Sequence, residues 1–208
     1  MEKSFKAALF DLDGVVFDTE PQYSIFWGRE CNRYHADESG LEQKIKGQTL
    51  VQIYEKYFSG ELRKERGKIT KRLCEFESEM DFEYIAGFTS FVLSLRQRGI
   101  KTAVVTSSNR EKMKTVYDKR PEFAGLFDEI LTSEDFSESK PSPDCYLRAA
   151  ERFGLGKHEC LVFEDSINGL LSGRAAGMYV VGLATTNTKD KIFPLCDIVI
   201  KDYNGFCI

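Results

Sequence analysis

The hydrophobic pattern changes abruptly near the amino terminus. Residues 7–10 are all apolar, and Asp11-Leu12-Asp13-Gly14 follows directly. A short apolar run that ends in polar residues is typical of a buried parallel strand at its carboxyl end. Because alternate side chains of a strand point the same way, we predict that Asp11 and Asp13 project into one crevice. A turn is the alternative, since Asp and Gly are frequent in turns, but two carboxylates this close also require a cation or a shared proton.

The pattern after this strand is helical. Between residues 20 and 80, apolar side chains recur at helical spacing in the segments 22–34, 50–58 and 61–79. From residue 82 onward strands alternate with helices; the predicted strands are 101–105, 129–131, 160–163, 179–183 and 198–200, and the predicted helices are 89–98, 110–117, 143–153 and one that ends at Gly177. We therefore predict an α/β fold with a parallel sheet, helices on both faces and a small helical bundle inserted after the first strand.

Composition narrows the possible partners. The chain has 208 residues, of which 42% are hydrophobic and 30% charged, enough for one sizeable α/β domain and a smaller insertion. Its net charge is −4 and its basic residues are spread out, so no nucleic-acid partner is expected. No apolar run approaches the length of a membrane span, so no membrane partner is expected. The six cysteines form no Cys-x-x-Cys pair and the two histidines form no spaced ligand set, which favours free thiols in the cytoplasm over a zinc site.

Polar side chains follow three of the predicted strands. These pairs are Asp11 and Asp13, Thr106 and Ser107, and Glu164 and Asp165. Because the carboxyl ends of parallel strands meet at one edge of a sheet, the three pairs are expected to lie close together. Lys140 stands in a segment that Pro141 and Pro143 stiffen, and it adds a positive charge.

The chemistry of these groups is complementary. Asp11 can attack an electrophile, and Asp13 can donate and accept a proton. Asp165, with help from Glu164, can join Asp11 in holding Mg²⁺, which prefers oxygen ligands. The Thr106 hydroxyl, expected at a helix amino terminus, and the Lys140 charge favour an anion.

This combination suits phosphoryl transfer, which depends on positioning and charge neutralisation. Taken one at a time, the same residues have simpler interpretations. Thr106 and Ser107 can be helix caps, Lys140 can be a solvated lysine, and Glu164-Asp165-Ser166 can be another cap. The order of the groups on successive strand ends is what favours the catalytic interpretation.

Over nearly its whole length the chain resembles the haloacid dehalogenase-like (HAD) hydrolase superfamily, in its β-phosphoglucomutase-like branch. The motifs that carry the resemblance are Asp11-Leu12-Asp13-Gly14-Val15-Val16, Val104-Val105-Thr106-Ser107-Ser108-Asn109, Ser139-Lys140-Pro141-Ser142-Pro143-Asp144 and Phe163-Glu164-Asp165-Ser166-Ile167-Asn168-Gly169. The fold that this resemblance implies is a Rossmann-like core, residues 1–17 and 82–208, with an inserted α-helical cap, residues 18–81. Cap closure would then exclude bulk water and complete the site.

The resemblance also implies a role for each site residue. Asp11 corresponds to the nucleophile that forms an aspartyl-phosphate, and Asp13 corresponds to the general acid/base. The implied ligands of Mg²⁺ are the carboxylates of Asp11 and Asp165, the backbone carbonyl of Asp13 and, as a further or outer ligand, Glu164. The implied phosphate-binding residues are Thr106, Ser107, Asn109 and Lys140. The second aspartate argues against carbon–halogen hydrolysis, because the halogen-removing members lack it.

The expected activity is hydrolysis of small phosphorylated metabolites, with sugar phosphates as the first class to consider. Sugar-phosphate mutases of this branch carry a hinge histidine and a cap arginine that holds the second phosphate. Here Tyr23 and Thr49 occupy those places. Lys44, Lys46 or Lys56 could replace the arginine, so a mutase is the alternative, and a non-catalytic binding protein is a third possibility. A monomer is expected, because the site would be complete within one chain.

Overall fold

The computed structural model describes residues 5–208. Its strands are β1 (Ala7–Phe10), β2 (Lys101–Val105), β3 (Glu129–Leu131), β4 (Cys160–Glu164), β5 (Tyr179–Leu183) and β6 (Ile198–Ile200). Its α-helices are α1 (Glu20–Tyr34), α2 (Leu41–Ile45), α3 (Leu50–Tyr57), α4 (Arg66–Glu79), α5 (Phe88–Gln97), α6 (Arg110–Lys119), α7 (Asp144–Arg152), α8 (Ile167–Ala175) and α9 (Lys189–Ile192). Short 3₁₀ helices occupy Gly60–Glu65, Phe123–Leu126, Lys157–Glu159 and Phe193–Leu195.

The strands form one parallel sheet in the order β3-β2-β1-β4-β5-β6. Strand β1 lies between β2 and β4, and all four of its residues are buried. Such central strands are continuous apolar runs because helices cover both faces of a parallel sheet. The α/β fold that the alternation predicted is confirmed.

Two hydrophobic clusters lie on opposite faces of the sheet. Ala8 and Phe10 of β1 pack with α5 and α6, whereas Ala7 and Leu9 pack with α7, α8 and α9. This division follows from the alternation of side chains along a strand. The predicted helices on both faces of the sheet are therefore present.

Helices α1 to α4 form the predicted helical insertion and pack around a hydrophobic cluster of their own. Phe26, Trp27, Phe58 and Ile69 are among its buried members. The sequence predicted one long helix over residues 61–79, and this prediction is wrong in its first turns. Residues 60–65 form a 3₁₀ helix, and α4 begins only at Arg66, whose side chain donates hydrogen bonds to the backbone carbonyls of Tyr54 and Phe58.

Two neighbouring segments connect the insertion to the sheet. The Asp18 amide donates to the Glu83 carbonyl at 2.8 Å, and the Ile85 amide donates to the Val16 carbonyl at 2.9 Å. A domain division at residues 17 and 82 falls within this paired region and stays a prediction. No helix among residues 5–208 is long and apolar enough to cross a membrane.

Candidate active site

The sheet order explains how distant motifs meet. Phe10 of β1 is paired with Val104 of β2 and with Phe163 of β4, so the residues that follow these strands emerge side by side. They border a crevice of about 710 Å³ between the sheet edge and the helical insertion. The sequence-predicted residues on its walls are Asp11, Asp13, Thr106, Ser107, Asn109, Lys140 and Asp165. Glu164, which is fully buried, lies directly beneath them.

Lys140 joins the first and fourth motifs by its side chain. Its Nζ donates to Asp11 Oδ1 and to Glu164 Oε1, both at 2.6 Å, and to the carbonyl oxygen of Val105 at 3.0 Å. Burial opposes the lysine charge, but the two carboxylates raise the pKa of Lys140 well above its ordinary value. The ammonium group therefore stays charged and neutralises part of the carboxylate cluster. Glu164 Oε1 also accepts a hydrogen bond from the Tyr146 hydroxyl at 2.7 Å.

The remaining negative charge suits a divalent cation. One oxygen each of Asp11, Glu164 and Asp165 lie within 4.8 Å of one another. Burial raises the pKa of Asp11 to about 7 and that of Asp165 well above its usual range, and neighbouring carboxylates add to both shifts. Within residues 5–208, Asp165 Oδ1 is buried without a hydrogen-bond partner. An unpaired buried carboxylate oxygen beside two further carboxylates fits the hard oxygen ligands that Mg²⁺ requires.

Asp13 is held by groups that the sequence did not single out for this purpose. Its carboxylate accepts hydrogen bonds from Thr19 Oγ1 at 2.7 Å, from Lys112 Nζ at 2.5 Å and from Ser108 Oγ at 3.4 Å. Lys112 lies on α6, far from Asp13 in the chain, and its side chain is only 5% exposed. A buried cation at a single helix position gives no recognisable spacing, which is why sequence reasoning missed Lys112.

The loop after β2 supplies hydroxyl groups. Thr106 is buried, and its Oγ1 accepts the Ser108 backbone amide at 3.0 Å. The expectation that Thr106 lies at the helix amino terminus is wrong, because Asn109 caps α6 and accepts the Lys112 amide at 2.9 Å. Among the described residues, the buried Ser107 Oγ has no hydrogen-bond partner. That hydroxyl is available to a ligand in the crevice.

A glycine and the loop after β5 pack against the Asp165 carboxylate. Gly14 has a φ of +74°, and a Cβ there would collide with the Asp165 carboxylate. The Thr186 hydroxyl hydrogen-bonds to Asp165 Oδ2, and Asn187 Nδ2 donates to the Asp165 carbonyl at 3.1 Å. Thr185 Oγ1 donates to the Gly14 carbonyl at 2.6 Å. None of these three loop residues was predicted from the sequence, because they belong to none of the four motifs.

The helical insertion forms the opposite wall of the crevice. Tyr23, at the expected histidine position, donates its hydroxyl to Glu77 at 2.7 Å, and Lys112 Nζ lies 4.8 Å from the centre of its ring. Thr49, at the expected arginine position, caps α3. Three lysines kept the mutase alternative open. Lys46 lines this crevice, whereas Lys44 and Lys56 line only an adjoining surface pocket, which Lys46 also borders.

The insertion touches the fourth motif directly. Asn168 Nδ2 donates to the Gly47 carbonyl at 3.1 Å and to Gln52 Oε1 at 2.9 Å. Gly47 has a φ of +70°, and a Cβ there would lie 2.8 Å from Ser166 Cβ. The two walls are therefore in close contact at this side of the crevice.

Comparisons with known proteins place this chain in a family. A model of the haloacid dehalogenase-like hydrolases matches residues 5–177. The bifunctional riboflavin kinase/FMN phosphatase of Arabidopsis thaliana is 28% identical over 97% of this chain and 54% of its own length. Hexitol phosphatase A of Escherichia coli (strain K12) is 30% identical over 86% of this chain and 82% of its own length. A HAD hydrolase of family IA, variant 3, from Entamoeba histolytica HM-1:IMSS aligns with a TM-score of 0.82 and 26% identity, over 98% of this chain and 96% of that chain.

The chain belongs to the haloacid dehalogenase-like hydrolase family, and its Rossmann-like core with an inserted helical cap is the fold of that family. It spans about half the length of the bifunctional Arabidopsis enzyme and most of the length of the hexitol phosphatase. The family and these phosphatase-named relatives confirm the prediction of a phosphoric monoester hydrolase.

Proposed function

We propose that the protein is a Mg²⁺-dependent phosphatase that hydrolyses small phosphomonoesters of the sugar-phosphate class through an aspartyl-phosphate on Asp11. The observation that carries the proposal is the carboxylate cluster at the sheet edge. Lys140 bridges Asp11 and Glu164 there, beside the unpaired oxygen of Asp165. A nucleophile whose charge is partly neutralised by a lysine, next to an unpaired carboxylate oxygen, suits phosphoryl transfer, which depends on positioning and charge neutralisation.

In the first half-reaction Asp11 attacks phosphorus in line with the leaving alcohol. The Asp11 O–P bond forms while the P–O bond to the alcohol breaks, and Asp13 gives its proton to the departing oxygen. Lys140, with the Thr106 and Ser107 hydroxyls and the Asn109 amide, holds the phosphoryl oxygens. The Lys112 ammonium and the Thr19 hydroxyl keep the Asp13 carboxyl at the crevice.

In the second half-reaction Asp13 removes a proton from water. The resulting oxygen attacks phosphorus, the P–O bond to Asp11 breaks, and inorganic phosphate leaves. Residues 18–81 act as the cap that limits access of bulk water to this intermediate. The hydrogen bonds from Asn168 to Gly47 and Gln52 support this role, because they hold the cap against the core.

The carboxylates of Asp11 and Asp165 and the backbone carbonyl of Asp13 would hold Mg²⁺, with Glu164 as a further or outer ligand. When bound, the ion would neutralise charge on the carboxylates and on the phosphoryl oxygens. A monomer would suffice as the active unit, because all the residues proposed to act in the site belong to one chain.

A β-phosphoglucomutase-type activity is the second candidate, and Lys46 is the observation that favours it. This lysine lines the crevice and could meet a second phosphate. Against it, Tyr23 and Thr49 carry no positive charge, and their side chains are already hydrogen-bonded to Glu77 and to the start of α3. A binding protein without activity is the third candidate, and the complete carboxylate–lysine cluster argues against it.

The test is release of inorganic phosphate from a panel of small phosphomonoesters, with Mg²⁺ and with EDTA. β-Glucose 1-phosphate belongs in the panel and is also assayed for glucose 6-phosphate. Mg²⁺-dependent phosphate release that is absent from the Asp11→Asn variant is the expected result. Appearance of glucose 6-phosphate instead would establish the mutase, and no turnover of any compound would support the binding protein.

A further inference from the structure

The wall that the helical insertion contributes to the crevice is rich in carboxylates. Its acidic side chains are Glu20, Glu42 and Glu77, and its one lysine is Lys46. No arginine lines the crevice in the described part of the chain. Lys112, on the opposite wall, is already paired with Asp13. The part of the crevice that faces the leaving group therefore has more negative than positive side chains.

Glu20 is an acidic residue of this wall whose carboxylate feels the charge of Asp13 and has no hydrogen-bond partner among the described residues. It is the first residue of α1, directly after Thr19, and it is half-buried. Among residues 5–208, no group hydrogen-bonds to its carboxylate and no cation lies within ion-pair distance of it. Burial and the nearby Asp13 raise the pKa of Glu20 to about 7, while Lys46 and Lys112 act in the opposite direction. Its oxygens are thus free to contact a ligand.

Glu77 adds to the same effect from α4. Its carboxylate accepts the Tyr23 hydroxyl, and burial raises its pKa. A second phosphate or a carboxylate on the substrate would enter beside Glu20 and Glu77, where negative charge is already disfavoured. A hydroxyl group carries no charge and can donate a hydrogen bond to a carboxylate. A cationic group on the substrate would gain little attraction to Glu20, because the Lys46 and Lys112 ammonium groups already offset part of its charge.

We propose that Glu20 is a specificity-determining residue, and that with Glu77 it restricts the substrates to monophosphates of uncharged polyhydroxy alcohols. Substrates that carry a second phosphate or a carboxylate on the leaving group are rejected. The inference rests on the proposed phosphatase activity and specifies the substrate class of that same site. Above about pH 8 the Glu20 carboxyl is ionised in spite of its raised pKa. Like charges brought together in a partly desolvated site then oppose binding strongly, so the discrimination is large enough to measure at that pH.

The experiment compares two matched substrate pairs in the presence of Mg²⁺ at pH 8.5, where the Glu20 carboxyl is ionised. Glucitol 6-phosphate is paired with 6-phosphogluconate, and glycerol 3-phosphate is paired with 3-phosphoglycerate; within each pair a CH₂OH group is replaced by a carboxylate. We expect kcat/KM to be at least about tenfold higher for the alcohol in both pairs. Glu20→Gln should reduce this ratio several-fold, chiefly by improving kcat/KM for the acid, because the amide can still hydrogen-bond but has no charge.

The controls separate specificity from folding and from catalysis. Glu79→Gln, which alters an exposed carboxylate at the end of α4, should leave the ratio unchanged. If Glu20→Gln does not fold by circular dichroism, Glu77→Gln provides the same test from the other side of the crevice.

Equal kcat/KM for alcohol and acid in the wild-type enzyme would overturn the proposed specificity alone, as would a ratio that neither variant changes. A preference for glucosamine 6-phosphate over glucose 6-phosphate would overturn it in favour of cationic substrates. Absence of phosphate release from these four compounds and from every other compound of the phosphomonoester panel would refute the phosphatase proposal, and the specificity with it.

Discussion

Replacing Asp11 by asparagine is expected to stabilise the protein when no divalent metal is present. Asp11 is 15% exposed and lies beside Glu164 and Asp165, which are almost completely buried. Lys140 offsets only part of this charge. The asparagine side chain would keep the shape of the aspartate and an oxygen that accepts from Lys140, but it would remove one negative charge from the cluster.

The pKa of Asp11 gives the magnitude. Burial is the largest cause of the shift, and the charge of Glu164 adds to it. Together they raise this pKa from 3.8 to about 7, although the Lys140 charge acts in the opposite direction. Each pKa unit corresponds to about 1.4 kcal/mol, so the ionised carboxylate lowers the free energy of unfolding by up to about 4 kcal/mol at pH 8. The amide retains some cost of burial, so we expect a net gain of about 1–3 kcal/mol.

The sign of the pH dependence follows from the direction of the shift. The folded protein binds the Asp11 proton more tightly than the unfolded chain does. The wild type therefore loses stability relative to the variant as pH rises from about 4 to about 7, and the difference is complete above pH 7. Urea unfolding at pH 4.5 and at pH 8, in EDTA, measures both ends of this range.

Asp128→Asn is the matched control. The Asp128 carboxylate accepts the Thr102 amide at 2.8 Å and the Lys101 ammonium at 3.3 Å. Burial opposes these contacts, but they hold the pKa of Asp128 below its usual value. This variant should therefore lose stability at pH 8, the opposite of Asp11→Asn. An Asp11→Asn protein that is no more stable than the wild type at pH 8 in EDTA would refute the reasoning.

Three further substitutions test separate parts of the site. Gly14→Ala should weaken Mg²⁺ binding more than about tenfold in calorimetry, because the new methyl group meets the Asp165 carboxylate; unchanged affinity would contradict the assignment of Asp165. Asn168→Ala removes the hydrogen bonds to Gly47 and Gln52 and should lower kcat/KM about tenfold, with little change in the free energy of unfolding; equal kcat/KM would exclude a role in cap docking. Tyr146→Phe leaves the buried Glu164 without its hydroxyl donor and should cost about 1–3 kcal/mol in urea unfolding, whereas Tyr117→Phe, on a partly exposed ring, should cost almost nothing; equal losses would show that the Glu164 contact is unimportant.

The sheet and the positions of the main motifs could be predicted because their signals are local. An apolar run followed by acidic residues identified β1 and the position of Asp11 without any knowledge of the fold. The short helices α2 and α9 were not predicted, since four or five residues complete too few turns to show a period. The 3₁₀ turn at residues 60–65 was missed because α4 begins at Arg66, whose side chain bonds to the carbonyls of Tyr54 and Phe58, and such contacts leave no local pattern.

The groups that support the site were beyond prediction for a different reason. Lys112 meets Asp13 and Asn168 meets Gly47 across large separations in the chain. Thr186 contacts Asp165 from a loop that has no distinctive pattern. Contacts of this kind depend on how the elements pack, and a single sequence does not record that packing. The catalytic and metal-binding roles themselves stay predictions.

The most direct test of the proposed mechanism is detection of a phosphoryl group on Asp11. Asp13→Asn should form the aspartyl-phosphate slowly and hydrolyse it more slowly still, because the general base is missing. This variant is mixed with Mg²⁺ and a phosphomonoester that the wild type hydrolyses. The reaction is quenched in acid, and the protein is digested and analysed by mass spectrometry. We predict one added phosphoryl group on the peptide that contains Asp11, and none in the Asp11→Asn, Asp13→Asn double variant. Phosphate release by the wild type without any phosphoryl group on Asp11 would contradict the mechanism.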